Sequence, residues 1–190
     1  MIARMAKKLK RLSPQLAALA LILATNTIIA PGFLDISFQN GRLYGSLIDI
    51  LVRAAPVAIL AIGMTLVIAT RGIDLSVGAV MAISGATAAS LIVAGYPLAI
   101  VIPVALGTGL VCGLWNGFLV AAFDIQPIIA TLILMVAGRG IAQLVTDGAL
   151  LTFNNDSFAT LGSGSFLGIP VPVLIWIFAG LVVGIAVRST

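Results

Sequence analysis

Residues 66–80 read LVIATRGIDLSVGAV: an apolar run meets Arg71 and Asp74 and then turns apolar again. An Arg or Asp at the centre of a membrane-spanning helix costs roughly 2.5–3.5 kcal/mol on insertion scales. The stretch is therefore either a turn between two spans at the membrane edge or a helix broken inside the membrane. The rest of the chain bears on which.

Of 190 residues, 61% are hydrophobic and only 8% are charged, whereas a soluble domain carries about 25% charged residues. No soluble core of this length hides that much apolar surface, so the solvent is the bilayer. The chain has no His and no Glu, and Cys112 is its single cysteine. That removes the usual general bases, the HExxH zinc site and the Ser-His-Asp triad, and it precludes an intrachain disulfide. No catalytic residue and no metal site are expected.

Arg4, Lys7, Lys8, Lys10 and Arg11 crowd the start of the chain. A basic head suggests nucleic acid or a membrane surface, but directly before an apolar segment it reads as a cytoplasmic anchor. It could also be the n-region of a cleaved signal peptide, but 16–30 is a little long for its apolar core and five more hydrophobic segments follow, which favours an uncleaved first span. Six stretches approach the roughly 20 apolar residues of a span: 12–30, 54–70, 75–93, 98–123, 128–145 and 171–187. The expectation is an all-α polytopic bundle of about six spans forming a single membrane domain over 1–190. With the N-terminus inside, seven basic residues fall on the inner side, counting Arg71 and Arg188, against Arg42 and Arg53 outside. This bias predicts N-in and C-in. Within the outer stretch 31–53, Leu43, Leu47, Ile50 and Leu51 recur near helical spacing. They suggest either a short interfacial helix or a plain loop. No internal repeat or low-complexity tract is seen, which weighs mildly against an inverted-repeat secondary transporter.

Several residues are candidates for function. Ala105, Gly109, Gly113 and Gly117 place a small residue at every fourth position of the fourth span. Such a row lets helix backbones approach closely, either for fixed packing or for sliding during transport. Asn116 in the same span needs a hydrogen-bond partner away from water, from a neighbouring helix or a sugar hydroxyl. Arg139 lies about 16 Å along the fifth span from Ile128. It either snorkels outward or pairs across the bundle, for instance with Gln143. In the opening stretch Gly72 permits a sharp turn, and Asp74 is placed to cap the third span.

TRGIDLSVGA at 70–79, ALGTGL at 105–110, LWNGFLVA at 114–121, IQPIIATLILMVAGRG at 125–140 and GIPVPV at 168–173 occur in that order. Together with NGRLYGSLIDILVRAAPVAILAIGMTLVIAT at 40–70 they resemble the permease subunit of bacterial monosaccharide ABC importers, most nearly the galactofuranose type. The resemblance implies an inner-membrane protein that does no chemistry itself. It implies a second permease subunit, a separate ABC ATPase subunit that binds the ATP, and a periplasmic sugar-binding protein. No cofactor is expected in this chain. The family pattern maps onto Gly72, Asp74, Ser76, Gln126, Thr131 and Arg139, with Pro127, Leu132 and Gly140 beside them. Two departures stand out. Arg71 replaces a usually small residue. The chain also stops before the G-x-N-x-x-A-A segment that docks onto the ATPase, so on its own it is not expected to couple to ATP hydrolysis. The expected function is the permease component of a sugar importer. The alternatives are a secondary transporter with a helix broken at 71–76, or a fragment that does not transport.

Overall fold

The computed structural model describes residues 2–39 and 41–189, the side chains of 2–13 and 189 excepted. The side chains of the basic head, Arg4 to Arg11, therefore lie outside the described part. Seven helices follow in order: α1 (Ile2–Ile29), α2 (Ser46–Ala69), α3 (Val77–Val93), α4 (Leu98–Phe123), α5 (Pro127–Val145), α6 (Asp156–Ser163) and α7 (Val171–Ser189). Four of them, α2, α4, α5 and α7, are long and apolar enough to cross a membrane. Pro14–Ile29 within α1 and the whole of α3 are apolar but shorter. The all-α, multi-pass architecture expected from composition holds.

α3 lies at the centre, packed between α4 and α5, while α2 pairs with α7 beside this trio. Ile83, Cys112 and Leu134, one from each helix of the trio, form its buried core. Its tightest point is Gly138 of α5: a Cβ added there would stand 2.8 Å from the Ala79 Cβ and 3.2 Å from Ile83 Cδ1. Only a residue without a side chain lets the two backbones come this close.

The chain reverses at helix ends by one repeated device. The Gly72 amide donates to Val67 O and the Arg71 amide to Ile68 O; Tyr96 and Gly95, and Gly148 and Asp147, repeat the pair after α3 and α5. These are Schellman closures, whose penultimate residue takes the left-handed conformation. Arg71 does so with φ 62° and Asp147 with φ 51°. The sharp turn assigned to Gly72 therefore belongs to Arg71. Gly72 instead runs close past α2, where a Cβ would meet Val67 at 3.2–3.3 Å.

Two small hairpins precede α2 and α7. β1 (Ser37–Gln39) pairs with β2 (Arg42–Tyr44), and β3 (Ser165–Phe166) with β4 (Ile169–Pro170), both antiparallel. Leu167 and Gly168 both have positive φ, as a two-residue type I′ turn requires. The hairpins join where the Leu43 amide donates to Gly168 O. The interfacial helix or loop expected within 31–53 is neither: Leu43 lies in a strand, while Leu47, Ile50 and Leu51 begin α2 itself. Gly45 makes the junction, since a Cβ there would lie 2.5 Å from Asp35 O. The stretch 146–169 contains α6, capped by Asn155 Oδ1 accepting from the Phe158 amide at 2.9 Å.

Candidate functional site

The non-helical segment 71–76 decides the site. α3 has 17 residues, about 26 Å at 1.5 Å per residue, short of the roughly 30 Å hydrocarbon core. Its approach segment is not helical, and backbone groups freed there need partners. α5 supplies one side. Thr131, buried, accepts from the Leu75 amide at 3.2 Å and has Ile73 O at 3.2 Å and Pro127 O at 2.9 Å within donating range. The hydroxyl thus ties the break to the first turn of α5.

Asp74 supplies the other side. Its Oδ1 accepts from the Ser76 amide at 2.7 Å and from the Ser76 hydroxyl at 2.6 Å. The helix boundary falls two residues later than a direct Asp74 cap would put it: Ser76 occupies the capping position with a helical φ, and its side chain makes no capping bond. Asp74 holds that residue in place. A chain of bonds then crosses to α4, where Asn116 Nδ2 donates to Ser76 Oγ at 3.0 Å. Because the Ser76 proton points to the carboxylate, its oxygen faces Asn116 as an acceptor. Polar helix-to-helix bonds of this kind contribute on average about 0.6 kcal/mol in membranes. Asn116 is only 8% exposed, and its Oδ1 is buried with no partner among the described residues.

Beside this chain lies a cavity of about 320 Å³ between α3 and α4, bordered by Asp74, Ser76, Ser84, Gly113 and Asn116 and by Leu60 of α2. A larger apolar cleft of about 800 Å³ runs between α4 and α5 along Val104, Trp115 and Ile141. It offers dispersion contacts and almost no hydrogen bonding.

Of the residues the sequence singles out, Gly72, Asp74, Ser76, Asn116 and Thr131 converge here. Gln126 does not. It caps α5 at a separate small recess shared with Arg71. Arg139 stands on an exposed face of α5 and makes no hydrogen bond or ion pair among the described residues, so the pairing with Gln143 is not formed. The small-residue row of α4 is only partly a packing seam. Gly109 meets Ser84 and Val80 of α3 at 3.6–3.7 Å, but Gly113 and Gly117 have nothing within 4 Å of a Cβ. Sequence reasoning missed Ser84 and Gly138. Gly138 has the large Leu134 four residues before it, so it forms no small-residue row and held no signal without knowing that Ala79 faces it.

Residues 46–189 match the family described as branched-chain amino acid transport system / permease component. The chain is 59% identical over 177 residues to the galactofuranose transporter permease protein YtfT of Escherichia coli K12, covering 93% of this chain and 52% of that protein. It is 40% identical over 181 residues to the fructose import permease protein FruF of Bifidobacterium longum NCC 2705, covering 92% and 51%. The ribose import permease protein RbsC of Haemophilus influenzae Rd is 42% identical over 166 residues, covering 85% and 48%. The chain thus spans about half the length of these relatives. No solved structure matches it.

Proposed function

The chain belongs to this family of membrane transport permease components, and we propose that it forms part of the translocation path of an ATP-driven monosaccharide importer in a bacterial inner membrane. The observation that carries the reading is agreement among relatives: those cited above are each named as permeases for a sugar. The substrate class is therefore taken as a monosaccharide, with galactofuranose first among the candidates. In this reading ATP is bound by a separate ABC ATPase subunit, a periplasmic sugar-binding protein delivers the solute, and a second permease subunit completes the path. The bundle's work is to alternate between two packings that the partners bias in opposite directions. The polar segment 71–76 inside an otherwise apolar bundle supports the reading, because irregular backbone at membrane depth is tolerated where it is buried in protein or lines a cavity.

Uptake of tritiated D-galactose and D-ribose by cells carrying the chain with its ATPase and binding protein tests this. Uptake is expected, and it is expected to stop when ATP is depleted with the ion gradient held. Uptake that instead follows the gradient would make the chain a secondary transporter. Orientation is checked by thiol labelling of single cysteines: Ser157→Cys is expected to react from outside and Asp124→Cys from inside, and the opposite pattern would invert the topology.

A further inference from the structure

We infer that the cavity between α3 and α4 is a binding site for a neutral, hydroxyl-rich solute, with the Asn116 Oδ1 accepting a hydrogen bond from a solute hydroxyl. This rests on the monosaccharide reading above and names the place and the atom that serve it. Three observations converge. The first is the orphaned acceptor: Asn116 is buried, its amide nitrogen is committed to Ser76, and its oxygen has no donor. An unsatisfied buried polar group costs about 1–3 kcal/mol, which a ligand hydroxyl would relieve. The second is the space beside it. About 320 Å³ far exceeds the roughly 10–15 Å³ of accessible volume that one water needs, and it reaches the lower end of the about 300–1,000 Å³ range of small-molecule pockets. The third is the mixed character of the rim. The start of α3 presents backbone N–H groups without intrahelical acceptors, as every helix start does, while Asn116 and Asp74 present acceptors. A hydroxyl both donates and accepts, so a polyol satisfies both sorts of group at once.

Charged ligands fit less well. The lining holds no Lys or Arg. Its one carboxylate already receives two hydrogen bonds from Ser76, and no three candidate metal ligands cluster among the described residues. A bare cation takes several oxygen ligands and would face the positive end of the α3 dipole. In this packing the Asn116 oxygen is covered. The open side of Gly113, with no neighbour within 4 Å of a Cβ, leaves α4 room to yield and uncover it.

The test is scintillation-proximity binding of tritiated D-galactose and D-ribose to the full chain in lipid nanodiscs. Saturable binding is expected, weakened by about tenfold in Asn116→Leu, the scale of one lost hydrogen bond. Gly113→Leu, which fills the cavity without touching the Asn116–Ser76 bond, is expected to abolish it while leaving the thermal midpoint within a few degrees of the parent. Absence of sugar binding, as for a cavity holding only water, or binding unchanged in both variants would overturn the site. If uptake by the assembled transporter persists in that case, the importer reading stands and only the site falls. Binding of tritiated leucine that Asn116→Leu removes, with no sugar bound, would overturn both.

Discussion

The two faces of α3 are built on opposite plans. Toward α5 it closes on small residues, with Gly138 and Ala79 so near that no Cβ fits between them. The Thr131 hydroxyl then stitches the approach segment to the same helix. Toward α4 the contact is propped apart. Gly109 touches, Gly113 does not, and a cavity bridged by the Asn116–Ser76–Asp74 chain occupies the gap. Close backbone approach marks one face, whereas at the cavity a single hydrogen bond, Asn116 Nδ2 to Ser76 Oγ, bridges to the other. That bond can be exchanged for one to a solute at little net cost. Under the proposed function the α3–α5 pair is the fixed unit and α4 the adjustable wall.

The sharpest way to break this contrast is to put the same residue on each face. Gly138→Leu forces α3 and α5 apart and is expected to cost about 1–3 kcal/mol or more through overpacking, read as a lowered midpoint in detergent and reduced yield in the membrane. Gly113→Leu is expected to leave stability close to the parent; equal damage from the two would erase the distinction. Next in size is Asp74→Ala, which removes the acceptor for both the Ser76 amide and hydroxyl. A loss of about 1–2 kcal/mol, typical of a lost helix cap, is expected together with impaired uptake in the assembled transporter. Unimpaired uptake at normal expression would show that the polar chain is not needed. The smallest effect is a gain. Arg71 holds a left-handed conformation that disfavours any residue with a Cβ by roughly 1–2 kcal/mol, so Arg71→Gly is expected to raise the midpoint slightly. Arg71→Ser is expected to leave uptake intact.

What could be read from the sequence divides along the same line. The ends of α4 stand at Leu98 and Phe123, as expected, because Pro97 and Asp124 bound an uninterrupted apolar run. α3 begins two residues later than its apolar pattern, since the Asp74 carboxylate takes the Ser76 amide and Leu75 bonds to Thr131 before the helix starts. Asn116 and Asp74 were nameable because each is a polar residue that the membrane would otherwise exclude, whereas Ser76 and Thr131 were nameable only through the family pattern. That they form one connected group was not nameable, since it depends on the crossing of three helices. The row of small residues on α4 misled for a related reason: periodicity shows that a face is smooth, not that a partner occupies it. Gly138 carries the real close approach because Ala79 on another helix faces it, and no single segment displays that pairing. The hairpins escaped notice because strands of two or three residues are too short to show an alternating pattern.

The Thr131 hydroxyl has a mechanical consequence. By engaging Ile73, Leu75 and the first turn of its own helix, it turns the break at 71–76 from a pivot into a pinned joint. In the proposed transport cycle α3 and α5 therefore stay together as one unit, and α4 is the helix that adjusts against them.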